Sequence, residues 1–575
     1  MRAALWAAAV LGPVAAAGQG APPTEYFRGT HEAGRPGGRV VFALRSEPKT
    51  LNPVTSVDNA SRDVIGRLHA NLVAIDRHTQ RTVPALAKSW TVSPDGRRYT
   101  LELRRGVRFS DGQPFDADDV VFTFACYLDL RNGSPQRDAL IVGGKPVVVR
   151  KLAPYRVSLE MEEPYAVGDR IFDGIAILPR HRLARAQAEG RLAEAWGLGT
   201  PPAEMAGLGP FRLESYVPGQ RAVLERNPHY WKADANGRAL PYLDELVFLL
   251  VPSEDAEVIR FRAGETDLIT RVSADNFAVL GREAAGRYRL LDLGPGLEYS
   301  FLFFNLNDVD AGKLPEVARR QAWFRQAAFR QAVSAALDRR GMVRLVYQGR
   351  AAALGTHVTP GNKLWVNASL APPVRSLSRA RERLAGAGFS WNAAGTLLDA
   401  GGTPVEFTIV TNAGNATRVK MATVVEDDLG QLGMRARLVP IENRTLIDRV
   451  FQTHDYDAAV MALASGDVDP NSEMNVWVSS GSTHLWRLGQ PAVAPWEKEI
   501  DDLMRRQLVT LDPTERKRLY DRVQALVAEN LPLIPLLSPS VLVGTKEGLG
   551  NLRPAILDHS LLWNADELFW REGMR

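Results

Sequence analysis

Apolar positions along the chain follow two periods, which predict an alternation of strands and helices. A strand is predicted over the apolar segment Arg39–Leu44, and another over the alternating segment Val405–Ile409. Two further alternating runs flank the turn Ser93-Pro94-Asp95-Gly96, which predicts a β-hairpin. The apolar run Leu531–Leu537 contains two prolines, which favours a strand at a sheet edge or one that crosses between lobes.

Helices are predicted by start signals and by apolar side chains spaced three and four residues apart. Asp116 is placed to cap a helix, with Asp119 as its partner in a capping box. Phe329–Leu337 carries one apolar face, and further helices are predicted at Ser378–Gly388 and Pro513–Asn530. Strands and helices interleave without a repeat or a polar linker. The chain therefore predicts an α/β fold whose lobes are built from discontinuous segments.

The first residues have the three parts of a secretory signal peptide. Arg2 precedes an uncharged stretch, Ala3–Ala17, that ends in small residues suited to a cleavage site. The stretch is shorter than the ~20 residues of a membrane span, and no cysteine follows it for bacterial lipid attachment. The sequence predicts a periplasmic protein with a signal peptide at residues 1–20 and a flexible leader at residues 21–38.

Composition narrows the class of protein. The 575 residues are 45% apolar and 24% charged, values that are typical of folded soluble proteins. A net charge of +4 over this length is too small to indicate a nucleic-acid partner. The single cysteine, Cys126, excludes an intramolecular disulfide and a multi-cysteine metal site, and we expect it to be buried.

The common signatures of catalysis are missing from the sequence. It contains no serine-hydrolase elbow, no zinc-protease motif and no phosphate-binding loop. Its nine histidines are scattered, with no pair at metal-ligand spacing. The sequence predicts no catalytic residues, no metal and no cofactor. A secreted hydrolase with an unrecognised site is retained as an alternative.

One acidic loop, Ser465–Glu473, stands out among the polar segments. Asp467, Asp469 and Asn471 have the spacing of the first ligands of a calcium loop, but the usual glycine and bidentate glutamate are missing. Two other interpretations are open: an Asx-type turn that satisfies local backbone donors, or a carboxylate offered to a cationic group of a ligand. The nearby Trp477 fits either a pocket lining or core packing.

The segment Leu86–Phe124 reads LAKSWTVSPDGRRYTLELRRGVRFSDGQPFDADDVVFTF. It resembles the extracellular solute-binding proteins of ABC importers, family 5, which are the oligopeptide and dipeptide binders. Supporting blocks follow in the family's order over residues 36–575, at Leu51–Pro53, Gly207–Trp231, Phe304–Asn307 and Asp469-Pro470.

The resemblance implies a type II periplasmic binding protein fold, in which a hinge joins two lobes and an extra subdomain sits on the first lobe. The first lobe is expected at residues 39–68, 201–298 and 531–575, the extra subdomain at 69–200 and the second lobe at 299–530. Closure of the lobes around a ligand would be a hinge motion.

In peptide-binding relatives, main-chain groups hold the peptide as an added strand, and an aspartate binds its α-amino group. That aspartate lies three residues before the acidic residue of the Asp-Pro element; here Gly466 takes this place and Asp467 follows it. The resemblance implies that ligand-binding residues lie in the acidic loop and after the Leu51–Pro53 block: Ser465, Gly466, Asp467, Asp469, Val57, Asp58 and Asn59. Trp477 is a further candidate because of its position near the loop. For Asp58, capping of the following helix is an equal alternative.

The sequence thus predicts the substrate-binding component of an ABC importer rather than an enzyme. We expect it to capture a small solute, with peptide as the favoured class, and to pass it as a monomer to permease and ATPase subunits at the inner membrane. Gly466 in place of the aspartate leaves open a non-peptide ligand such as a glycan, an opine or a metal chelate. A receptor that feeds sensory signalling is a further alternative.

Overall fold

The computed structural model describes residues 24–283, 286–557 and 559–573. The predicted signal peptide, residues 1–20, lies outside these ranges. Across the described part of the chain, none of the helices is both long and apolar enough to cross a membrane.

A mixed sheet of twelve strands forms the centre of the molecule. Its main path runs, in hydrogen-bonded order, through Phe211–Val217, Arg221–Arg226, Glu245–Leu250, Arg39–Leu44, Leu268–Ile269, Leu533–Lys546, Glu298–Phe304, Ala458–Ala464, Glu406–Asn412 and Arg435–Ile441. Two more strands, Tyr288–Pro295 and Ala351–Ala353, pair with Leu533–Lys546 beside this path. The predicted strand at Arg39–Leu44 is confirmed, and the one predicted at Val405–Ile409 is found at Glu406–Asn412.

The strand Leu533–Lys546, here called the crossing strand, connects the two halves of the sheet. Its first half pairs with Glu298–Phe304, and its second half pairs with Tyr288–Pro295. Pro535, which has no N–H to donate, lies at a shift in the pairing register. The crossing position predicted for this proline-containing run is therefore confirmed.

Two large hydrophobic cores share the crossing strand and define two lobes. The first core contains Val543 of that strand together with Phe211, and the second contains Ile534 together with Phe304. A third, smaller core forms around Phe261. The predicted two-lobed α/β fold is confirmed.

A separate antiparallel sheet of four strands packs into the first core. Its strands lie in the order Ala87–Val92, Arg98–Leu103, Arg156–Glu160 and Val148–Ala153. The first two form the predicted hairpin, and the helix Ala117–Leu128 follows. This helix begins at the predicted capping box, because the N–H of Asp116 donates to the carboxylate of Asp119. Cys126 in this helix is fully buried, as predicted.

The other predicted helices are also found. Pro513–Asn530 has both of its predicted bounds, and the apolar face of Phe329–Leu337 is buried in the helix Ala327–Ala336. The helix predicted at Ser378–Gly388 ends two residues earlier, at Gly386, because Gly388 adopts a left-handed φ of +89°. The remaining α-helices of the described residues are Asn59–Leu68, Arg180–Ala188, Glu254–Ala263, Ala274–Glu283, Pro315–Phe324, Arg339–Tyr347, Ala416–Gly430, Asn443–Asp448, Met474–Trp477 and Pro495–Val509.

Residues 24–38, which the sequence predicts as part of a flexible leader, pack onto the first lobe. Phe27–Arg28 pair in parallel with Lys232–Ala233, and the ring of Phe27 lies edge-on to that of Trp231. The contact of the partly buried Phe27 ring with Trp231 and the strand pairing hold this segment, effects that its proline and glycine content does not indicate. Short strand pairs also join Val73–Ile75 to Thr82–Pro84, Ile141–Val142 to Lys145–Pro146, Ser390–Trp391 to Leu397–Leu398, and Leu549–Gly550 to Phe569–Trp570.

Candidate ligand-binding cleft

A cavity of about 1230 Å³ lies between the two lobes. Its volume exceeds the roughly 300–1,000 Å³ that is usual for small-molecule sites, so it has room for an extended ligand. Side chains from both halves of the molecule line it, including Asn59, Arg62 and Arg271 on the first-lobe side and Glu298, Tyr347 and Ser465 on the other.

The turn before the helix Asn59–Leu68 forms part of one wall. Asp58 caps this helix: its Oδ1 accepts a hydrogen bond from the N–H of Ser61 (2.8 Å), and its Oδ2 accepts one from the Ser61 hydroxyl (2.7 Å). Capping, the alternative for Asp58, is thus confirmed. Asn59 lines the cavity, whereas Val57 and Asp58 lie outside its lining.

The loop Ser465–Asp467 follows the strand Ala458–Ala464 and lies in the opposite wall. The Ser465 hydroxyl donates a hydrogen bond to the carboxylate of Glu473. A Cβ at Gly466 would meet open space, so the main chain at this position is accessible from the cavity. The structure therefore brings three of the predicted residues, Ser465, Gly466 and Asp467, together at the cavity.

Asp467 is already paired with an arginine of the same protein. The Nε and Nη2 atoms of Arg170 donate to the two carboxylate oxygens of Asp467, and Nη1 donates to the carbonyl oxygen of Gln80 (2.9 Å). Burial favours the neutral form of the Arg170 guanidinium, but the hydrogen bonds to Asp467, together with the charges of Asp467, Asp469 and Asp173, outweigh it and raise the pKa of Arg170. The charge of Asp467 is thereby neutralised within the protein.

Asp469 lies in the same acidic loop, two residues after Asp467, but its side chain is buried and does not line the cavity. Its two carboxylate oxygens each accept a hydrogen bond of 2.7 Å from Arg516, and its Oδ1 also accepts one from the N–H of Asn471 (2.9 Å). The Asx-type turn, one of the interpretations of this loop, is therefore present at Asp469. Within the described ranges, no group of three or more His, Cys, Asp or Glu side chains is placed to hold a metal ion.

Trp477 lies in the core of the second lobe. Its side chain is 1% exposed, and its ring centroid is 4.0 Å from that of His357 and 5.6 Å from that of Trp486. The lining of the cavity does not include it. Of the two interpretations of this residue, the structure places it in core packing.

Acidification is expected to destabilise the protein through His357, which is buried against Trp477. Burial lowers the pKa of His357 to about 3, whereas an unfolded histidine titrates near pH ~6.5. Between these values the unfolded state binds the proton and the folded state does not, so stability falls as the pH drops from about 6.5 toward 3. Urea titrations measure the free energy of unfolding at each pH. Between about pH 6.5 and 4, this free energy should fall less steeply with decreasing pH in the His357→Asn variant than in the wild-type protein. An unchanged slope would contradict this prediction.

The structure adds cavity residues that the sequence did not indicate. Glu298 is the first residue of the strand Glu298–Phe304, and Tyr347 ends the helix Arg339–Tyr347. Arg271 lies after the strand Leu268–Ile269 on the other side. Each is a polar residue at or near the end of a helix or strand. The sequence contains many polar residues in such positions, and no local pattern indicates which of them line the cavity.

Comparisons with known proteins place the chain in a family. Residues 81–484 match the family model described as "Bacterial extracellular solute-binding proteins, family 5 Middle". A probable ABC transporter-binding protein of Deinococcus radiodurans is 27% identical over 516 residues, which cover 86% of this chain and 85% of that protein. The oligopeptide-binding protein AppA of Bacillus subtilis is 25% identical over 526 residues, which cover 90% and 89%.

A solved structure has the same fold. The crystal structure of NikA from Brucella suis in complex with Fe(III)-EDTA superposes with a TM-score of 0.76 at 23% sequence identity, covering 93% of this chain and 100% of that one. The two-lobed architecture, the cavity between the lobes and the family match over most of the chain agree with one another. The chain therefore belongs to the bacterial extracellular solute-binding proteins of family 5.

Proposed function

We propose that this protein binds peptides in the cavity between its lobes and delivers them to the permease of an ABC importer. The observation that carries the proposal is the cavity of about 1230 Å³, which both lobes line in a chain of this family. The accessible main chain at Gly466 supports recognition of a peptide backbone, because main-chain hydrogen bonds give affinity without selecting side chains. The name of the AppA relative, an oligopeptide-binding protein, supports the same ligand class.

Capture is proposed to work through the relative position of the lobes. A ligand that contacts both lobes stabilises the arrangement in which they are close, and a membrane partner that binds this arrangement detects the ligand. The segment boundaries expected from the sequence, with the second lobe at residues 299–530 and the extra subdomain at 69–200, belong to this proposal.

The proposed partners are permease and ATPase subunits of the inner membrane, and the proposed location is the periplasm after removal of a signal peptide. The protein is proposed to act as a monomer and without catalysis. Membership of a family of extracellular solute-binding proteins supports the partners, the location and the absence of catalysis, whereas the signal peptide and the monomeric state rest on the expectation from sequence.

A second candidate is a non-peptide solute, such as a glycan, an opine or a metal chelate. One observation favours it: Asp467, the aspartate nearest to the position of the amino-group anchor in peptide-binding relatives, is neutralised by Arg170. The NikA structure in complex with Fe(III)-EDTA supports the same possibility at the level of the fold.

Native mass spectrometry of the protein, purified gently from periplasm, is expected to show bound mass that denaturation releases. For a peptide receptor this mass is a distribution that fragments into short peptides. A single discrete non-peptide mass would instead establish the second candidate. If the protein is empty, a random peptide library should reduce its radius of gyration in small-angle scattering, and an unchanged radius would contradict the peptide proposal.

A further inference from the structure

The cavity wall around the acidic loop carries two carboxylates, those of Asp467 and Glu298. They are close in the fold, because Glu298 pairs with Ala464 across two neighbouring strands and Ala464 directly precedes the loop Ser465–Asp467. Their surroundings differ, and this difference determines which of them is available to a ligand.

Asp467 has little capacity left for a ligand. Two hydrogen bonds from Arg170 occupy its oxygens, and the N–H of Val468 donates a third to Oδ1 (2.7 Å). The Arg170 side chain is only 10% exposed and is also held by the carbonyl oxygen of Gln80. A ligand that displaced Arg170 would leave a largely buried guanidinium without its partner, which is strongly unfavourable.

Glu298 is in the opposite situation. Its side chain makes no hydrogen bond and no ion pair with any residue that the structure describes, although it lines the cavity. Desolvation by the surrounding protein raises the pKa of Glu298, against the opposing effect of Arg271 and Arg418. Glu298 is an exposed residue of the cavity wall, and a carboxylate that has no partner gains more from a cationic group than one that is already paired.

We propose that Glu298, and not Asp467, receives the cationic group of the ligand. For a peptide this is the α-amino group. The inference rests on the proposed function, since it assigns a residue to the same cavity. Tyr347 also lines the cavity, near Glu298. Burial and the neighbouring charge of Glu298 raise the pKa of the Tyr347 hydroxyl to about 12, so this hydroxyl keeps its proton at neutral pH.

The experiment compares two pools of random tetrapeptides, one with free amino termini and the same pool N-acetylated, by competition in native mass spectrometry. The wild-type protein should prefer the free pool. Glu298→Gln, which keeps the shape of the side chain but removes its charge, should lose about tenfold or more in affinity for the free pool and little for the acetylated pool. Asp467→Asn should change the affinities for both pools by the same factor, because Asp467 acts through the contact with Arg170.

Two variants control for folding and for charge. Glu225→Gln removes an exposed carboxylate that pairs with Arg212 away from the cavity, and it should leave both affinities unchanged. Glu298→Asp keeps the charge and should keep a preference for free amino termini. If Glu298→Gln does not fold, Glu298→Ala, which also removes the charge, takes its place in the comparison.

Two results would overturn the assignment of Glu298 while leaving peptide binding intact. One is a selective loss of the free pool in Asp467→Asn without such a loss in Glu298→Gln. The other is equal binding of the two pools by the wild-type protein. If neither pool binds to the wild-type protein, the proposed function itself fails, and the assignment of Glu298 falls with it.

Discussion

Replacement of Asp469 by alanine is expected to destabilise the second lobe by about 3–5 kcal/mol. Asp469 and Arg516 form a two-pronged ion pair whose side chains are only 9% and 6% exposed. Removal of the carboxylate leaves the Arg516 guanidinium buried, with hydrogen bonds only to Gln507 among the residues that the structure describes. The free energy of unfolding, measured by urea titration with tryptophan fluorescence, should show this loss.

The matched control for Asp469→Ala is Glu225→Ala. Glu225 pairs with Arg212 in a solvent-exposed ion pair on the outer strands of the sheet, and such pairs contribute at most about 1 kcal/mol. If Asp469→Ala lowered the free energy of unfolding by no more than this control, the stabilising role assigned to the Asp469–Arg516 ion pair would be wrong.

Replacement of Gln80 by alanine is expected to weaken ligand binding by about tenfold or more. The Gln80 side chain is fully buried in the turn between the short strands Val73–Ile75 and Thr82–Pro84, where this turn contacts the segment Gly361–Lys363. Its Nε2 donates to the carbonyl oxygen of Gly361 (2.8 Å), and its Oε1 accepts from the N–H of Lys363 (3.0 Å). Without this side chain, the carbonyl group of Gly361 and the N–H of Lys363 have no partner when the lobes close. The open arrangement of the lobes is then favoured, and ligand binding must overcome this difference. Isothermal titration with a peptide that the wild-type protein binds would measure the change.

Lys363→Ala is the control for this prediction. It removes the side chain beyond Cβ, including the ammonium group that donates to the carbonyl oxygen of His78 (3.2 Å), and it keeps the main-chain N–H that binds Gln80. Its effect on affinity should therefore be small. The reverse order, with a larger loss in Lys363→Ala than in Gln80→Ala, would contradict the role assigned to Gln80.

The elements that could be predicted from sequence are those whose signals are local. The capping box at Asp116 and the bounds of Pro513–Asn530 follow from side chains within a few residues of each helix end. The crossing strand was predicted because a proline-containing apolar run suits few other positions in a sheet. The leader was predicted less well, since its aromatic residues bind partners about two hundred residues away, such as Trp231 for Phe27.

The candidate site was predicted only in part. Ser465, Gly466 and Asp467 reach the cavity as expected, and Asn59 reaches it from the other side. Asp58, Asp469 and Trp477 have the residue types of a binding site, but they cap a helix, neutralise an arginine and fill a core. In each case the competing role depends on a partner that composition and spacing do not reveal.

The sequence by itself determined the order of strands and helices, the α/β class and the resemblance to a family, because periodicity, capping and motif order are properties of short segments. Only the tertiary structure decided which carboxylates of the cavity are free. Asp467 is neutralised by Arg170, which lies 297 residues away in the chain. Glu298 comes beside the acidic loop only through pairing of its strand with Ala458–Ala464. An ion pair between such distant residues forms only when folding brings their elements together, so no pattern within one segment can encode it.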